Sequence, residues 1–164
     1  MTSTQPPKAG EGPPVSEQDY RKALNAALRL LTRRDHSKYE LAQKLKQRDF
    51  EDNVIKKVFL ECERLGYLNE ERTAQVFIGQ LLRKGYGAKR IRHELNMKGL
   101  TDKAIPAAML SEADERVNAE RVLIKNIKRF SREDDPQKKR DKIYRFLYSR
   151  GFSDQVILEL IKKY

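Results

Sequence analysis

Three stretches of the chain align with one another, and this internal repeat constrains the fold more than any other feature. They are ELAQKLKQRDFEDNVIKKVF from Glu40, RIRHELNMKGLTDKAIPAAM from Arg90 and KIYRFLYSRGFSDQVILELI from Lys142, at offsets of 50 and 52 residues. Apolar positions coincide: Leu41, Ile91 and Ile143; Leu45, Leu95 and Leu147; Phe50, Leu100 and Phe152. The same short signature then follows three times, as EDNVI, TDKAI and SDQVI. A unit of ~45 to 50 residues buries little surface alone, so neighbouring units are expected to stack.

Each repeat reads as three helices. In the second, residues 69–84 place Ala74, Phe77, Ile78, Leu81 and Leu82 on one stripe at helical spacing. Arg83 and Lys84 followed by Gly85 predict a helix end, with cations in the last turn and then a residue free to take positive φ. A second helix over 88–98 puts Ile91 and Leu95 on one face, and Gly99 ends it as Gly151 does in the third repeat. Asp49 holds that place in the first repeat, and Asp tolerates the left-handed conformation better than most residues. Thr101 and Ser153 are the expected caps of the third helices, each followed by an acidic residue suited to the positive end of the helix dipole. Pro106 falls early in such a helix and removes one backbone hydrogen bond.

The first helix of repeat one is expected over 17–33, with Ala23, Leu24, Ala27, Leu28 and Leu31 inward. That of repeat three is expected over 113–130, with Val117, Val122, Ile124 and Ile127 as contacts. The expected architecture is all-α: three tandem three-helix repeats over 17–68, 69–112 and 113–164, forming an elongated, curved helical-repeat protein. Residues 1–16 hold four of the six prolines and no apolar periodicity, which predicts a disordered tail.

Charge narrows the function. Lys and Arg number 35 against 24 Asp and Glu, a net +11. The excess is spread evenly, with 12 basic against 7 acidic residues over 20–68, 8 against 4 over 69–110, and 14 against 9 over 113–164. A long cationic body suits a long anionic partner better than one compact site. No run approaches the ~20 apolar residues of a membrane span, and the N-terminus lacks a secretory pattern, so a cytoplasmic protein with no membrane contact is expected. Cys62, His36 and His93 are too few for a zinc site. Cys62, in the apolar run VFLECERL, reads as a buried reduced thiol. No catalytic constellation is present, so no enzyme activity, cofactor or metal is expected.

The sharpest local cluster is RKGYGAKRIRHEL (residues 83–95), which packs Arg83, Lys84, Lys89, Arg90 and Arg92 around Tyr86 and two glycines. As a binding site, the helix start after Gly87 offers free amides to a phosphate, the cations neutralise a backbone, and Tyr86 stacks on a base or touches a protein. As plain structure, Gly85 is a cap, the cations answer the dipole, and Tyr86 belongs to the core. RRDHS (residues 33–37) is a counterpart in repeat one and favours a recurring surface. The glycines lack P-loop spacing and no strand precedes them. Two short helices joined at a Gly also resemble a helix-turn-helix, a geometry that arises wherever such helices meet. KKRDKIYRF (residues 138–146) reads by default as a solvated basic helix face.

At RDHSKYELAQKL (residues 34–45), GYLNEER (66–72) and especially RKGYGAKRIRHELNMKG (83–99), the sequence closely resembles the RecX family, bacterial regulators of the RecA recombinase. The resemblance covers residues 20–164 and keeps the order of motifs. It implies a cytoplasmic, non-enzymatic protein of three three-helix repeats that binds the RecA–DNA filament in its groove. It further implies inhibition of strand exchange and ATP hydrolysis, modulation of coprotease activity, and binding of single- or double-stranded DNA by a monomer. The residues expected to contact the filament are Arg83, Lys84, Tyr86, Lys89, Arg90 and Arg92 at the centre, extended by Arg33, Arg34, His36, Lys139, Arg140 and Arg145. A sequence-specific helix-turn-helix transcription factor and a helical scaffold for another acidic protein are the alternatives.

Overall fold

The computed structural model describes residues 15–100 and 111–163. Among them are eight α-helices and no strand. They are α1 (Glu17–Leu31), α2 (Lys38–Lys46), α3 (Asp52–Arg64), α4 (Glu70–Arg83), α5 (Ala88–Met97), α6 (Glu112–Asn126), α7 (Pro136–Ser149) and α8 (Asp154–Ile161), with a 3-10 turn at Ile127–Arg129. Thr101 and Pro106, and the third helix expected in repeat two, lie outside the described residues.

Local chemistry explains the helix starts. Ser37 and Glu40 form a reciprocal capping box at α2, and Asp135 before Pro136 accepts from the Gln137 and Lys138 amides at α7. The ends follow the repeat: Gly85, Gly99 and Gly151 take φ of 78, 69 and 82°, and Asp49 takes 63° in the matching place. The fold begins before the expected boundary, since Val15 packs on the first core and Ser16 caps α1.

The chain gathers into two compact units, Met1–Asn69 and Glu70–Tyr164. In the first, Ala23, Ala27, Leu41, Leu45, Val54, Ile55, Val58, Cys62 and Leu68 form the core, with Leu24, Leu28 and Leu31 half-buried around it. The second holds two cores, one on α4 and α5 around Ala74, Ile78, Leu81, Ile91, Leu95 and Leu100, and one on α6, α7 and α8 around Ala119, Leu123, Ile143, Leu147, Phe152 and Ile157.

α6 keeps two of its expected contacts, with Val122 buried and the following Ile127 packed on the core, but turns the other two outward. Val117 is 66% and Ile124 58% exposed, while Glu115, Asn118, Ala119, Val122 and Leu123 face inward. Apolar periodicity misleads here because Glu115 and Asn118 have hydrogen-bond partners on the preceding repeat, the first buried and the second part-buried.

Cys62 is fully buried, and burial, followed by Glu61 and Glu63, pushes its thiol up to about 11 from an ordinary value of 9.0. The folded chain therefore holds this proton more tightly than the unfolded chain. The stability it supports is complete below pH 9.0 and is lost as pH rises through about 11. Denaturation midpoints should fall across that window, and Cys62→Ala, whatever its cavity costs at neutral pH, should flatten the fall. An equally steep fall in the variant would place the alkaline transition elsewhere.

Candidate binding site

The second unit is built around the contact of repeat two with repeat three, and RKGYGAKR lies inside that contact. Arg150 Nη1 donates to the Lys84 and Gly85 carbonyls at 3.1 and 3.4 Å, and Arg121 Nη2 donates to the Leu82 carbonyl at 2.6 Å. Side chains of repeat three thus donate to carbonyls at and just past the end of α4, where the Leu82 carbonyl also accepts from the Gly85 amide. Asn118 Nδ2 donates to the Tyr86 carbonyl at 2.9 Å. The Gly87 and Lys89 amides donate to the Arg150 and Gly151 carbonyls at 2.9 and 3.0 Å, and the Ala88 amide to Glu115 Oε1 at 2.9 Å. These amides, expected to be free for a phosphate, are already occupied. A Cβ on Gly85 would also stand 2.9 Å from Val122 Cγ2, so this glycine is needed for space as well as for its φ.

Side chains leave this joint on one side to form a hollow of about 560 Å³, lined by Lys84, Tyr86, Arg90, Arg129, Phe146, Ser149 and Arg150. Four cations and two rings line it, and no carboxylate. The Arg90 guanidinium carbon is 4.1 Å from the Tyr86 ring centre, and those of Arg129 and Arg150 are 5.2 and 4.8 Å from that of Phe146. Rings hold guanidinium groups at little entropic cost while leaving N–H donors at their edges, a chemistry suited to phosphate or carboxylate groups and to unstacked bases. Tyr86 itself packs half-buried against the core of repeat two, so its ring has a structural part as well as an exposed edge.

The expected residues divide. Lys84, Tyr86 and Arg90 meet in the hollow. Lys89 instead ties the repeats together, its Nζ 2.9 Å from Asp154 Oδ2. That hydrogen bond raises the pKa of Lys89, and the Tyr144 hydroxyl, 2.5 Å from Asp154 Oδ1, acts with Lys89 to hold Asp154 below the usual carboxylate range. Arg83 and Arg92 are exposed but do not line the hollow. Arg140 lines a different hollow with Tyr144, Leu158 and Ile161. Arg145 donates from Nε to the Asp141 carbonyl at 3.3 Å, and Lys139 is half-buried.

In the first unit, Arg33 shares a hollow with Lys22, Arg29 and Arg48. Arg34 is paired with Glu40 at 3.2 and 3.3 Å. His36 is not on the surface: it is 3% exposed, its Nδ1 lies 2.9 Å from the Arg34 carbonyl, and burial lowers its pKa. A neutral ring donating to that carbonyl is a packing group.

Arg129, Phe146, Arg150, Lys22, Arg29 and Arg48 were not singled out by the sequence, although the repeat carries a signal for some of them. Arg48, Lys98 and Arg150 stand at one repeat position, just before the left-handed residue. Alignment of the buried Ala23, Ala74 and Ala119 likewise brings Arg33, Lys84 and Arg129 together at the end of each first helix.

Family profiles for the first, second and third three-helix domains of RecX match residues 23–62, 69–109 and 114–161. The chain belongs to the RecX family. The regulatory protein RecX of Legionella pneumophila (strain Corby) is 40% identical over 143 residues, 87% of this chain and 94% of that protein. The RecX of Haemophilus influenzae (strain PittEE) is 30% identical over 85% of this chain and 92% of its own. The crystal structure of RecX from Lactobacillus salivarius superposes with a TM-score of 0.80 at 24% identity, covering 89% of this chain and 96% of that one. The RecX matches establish an all-helical fold of three three-helix domains, and the relatives are named as regulatory proteins. Among the described residues, no helix is long and apolar enough to cross a membrane.

Proposed function

We propose that this protein regulates RecA, inhibiting it by binding the RecA–DNA filament in its groove and contacting RecA and the DNA phosphates together. Strand exchange, ATP hydrolysis and coprotease activity all depend on that filament and would all be modulated. The supporting observation is the hollow of Lys84, Arg90, Arg129 and Arg150, in which the three guanidinium groups sit against aromatic faces, Arg90 also standing 3.7 Å from Glu94 Oε1. The second hollow, at Lys22, Arg29, Arg33 and Arg48, offers a further cationic contact. Membership of the RecX family makes RecA the partner of choice. The protein acts by occupancy, as a cytoplasmic monomer. A sequence-reading helix-turn-helix has less support, because the start of α5 is covered by repeat three and its first amides are taken.

The test is a titration of RecA ATPase on single-stranded DNA. The parent protein should suppress hydrolysis, and the pair Lys84→Glu with Arg129→Glu should lose roughly tenfold or more in potency with helicity unchanged, about 1.4 kcal/mol of binding. Neither side chain hydrogen-bonds within the joint, so folding should survive. A parent protein without effect on RecA would end this reading. A fully inhibitory double variant would move the contact away from the hollow.

A further inference from the structure

Neither α5 nor α8 caps its own N-terminus. Gly87 precedes α5 and has no side chain to offer, and Ser153 precedes α8 but makes no side-chain bond to that helix. The Ser153 hydroxyl instead donates to Glu115 Oε2 at 2.8 Å. Glu115 Oε1 accepts from the Ala88 amide at 2.9 Å and from the Ser153 amide at 3.1 Å. One carboxylate on α6, 8% exposed, thus caps two helices that belong to different repeats.

We propose that Glu115 is the positioning residue that assembles the binding hollow, an inference that rests on the reading of that hollow given under Proposed function. The hollow is composite: Lys84, Tyr86 and Arg90 come from repeat two, and Arg129, Phe146 and Arg150 from repeat three. Arg90 stands in the first turn of α5, and Arg150 stands three residues before Ser153. Glu115 fixes the start of α5 against the turn that leads into α8, and so sets Arg90 beside Arg150. What matters is the reach of the side chain and the place of one shared acceptor, more than its charge.

Two substitutions separate reach from charge. Glu115→Gln keeps the length, keeps an oxygen for both amides, and places an amide nitrogen where it can donate to Ser153 Oγ. Glu115→Asp keeps the charge and falls one methylene short. Amide hydrogen exchange and inhibition of RecA ATPase are read on the full chain. Glu115→Asp should exchange roughly tenfold or more faster at Ala88 and Ser153 and inhibit RecA about tenfold less potently, while core amides such as Ile78 and Leu147 stay protected. Glu115→Gln should match the parent in both. A stability defect alone would not produce this inversion, in which the neutral residue succeeds and the charged one fails. Unchanged protection at Ala88 and Ser153 in Glu115→Asp would overturn the clamp. Faster exchange with full inhibition would overturn its part in assembling the site. If the parent itself does not act on RecA, the functional reading fails, and the exchange data still decide whether Glu115 holds the joint.

Discussion

Gly87→Ala is expected to lose roughly 2–6 kcal/mol, combining an overpacking cost of about 1–3 kcal/mol with about 1–3 kcal/mol for a buried amide left unpaired. The backbone conformation is not the reason, because Gly87 has a φ of −85°, open to any residue. The reason is space. An added Cβ would stand 2.3 Å from the Phe152 amide nitrogen and 2.5 Å from the carbonyl carbon and oxygen of Gly151. These are backbone atoms and cannot swing aside. The second repeat must lift from the third, stretching the bonds from Gly87 and Lys89 to the Arg150 and Gly151 carbonyls. Gly79 in α4 is the control, since its added Cβ would meet only the mobile end of Arg83 at 3.5 Å. There alanine should be neutral or stabilise by up to about 1 kcal/mol through helix propensity. Urea denaturation of the two variants checks the contrast, and similar midpoints would mean that the repeats tolerate separation.

The second large effect is expected in the salt dependence of DNA binding. On single strands, log affinity should fall with log salt at about −0.7 per phosphate contact, so neutralising Lys84, Arg90 and Arg129 to Gln should flatten the slope by about 2. Lys89→Gln should change it far less, because that ammonium is already paired with Asp154. A screened surface pair is weak, so the same substitution should also leave the denaturation midpoint close to that of the parent. Neutralising Arg29, Arg33 and Arg48 tests the first unit separately. A slope unaltered by either set would mean that DNA is held elsewhere, and a slope carried mainly by Lys89 would contradict the pairing.

Positions fixed by local rules were legible in the sequence. The repeat makes Leu41, Leu45, Ile91, Leu95, Ile143 and Leu147 equivalent, and all six are fully buried. Asp49 stands where the other repeats have glycine and has the positive φ that this requires. Positions governed by partners far along the chain were not legible. Glu115 meets Ala88 across 27 residues and Ser153 across 38, and nothing in a helical stripe announces that an inward glutamate has such partners. At α5 the sequence leaves two readings open, amides available to a phosphate or plain helix-end structure, and the amides are covered by a segment some 60 residues later. Ser153 stands at a helix start as the sequence predicts, but its hydroxyl serves Glu115 and not its own helix. Arg150 could have been found, because the repeat aligns it with Arg48 and Lys98 just before the left-handed residue.

The meeting of Gly87 with Gly151 and of Gly151 with Arg90 brings main chain against main chain, with no side chain between to act as a cushion. Side chains give by changing rotamer; peptide planes do not, and close-packed interiors pass strain on instead of absorbing it. Mechanically, such a contact is expected to act as a weld and not as a hinge. Torque applied to α7 and α8 by a bound polymer should arrive at α4 and α5 without slack, and whatever bending the pair undergoes must come from the helices themselves.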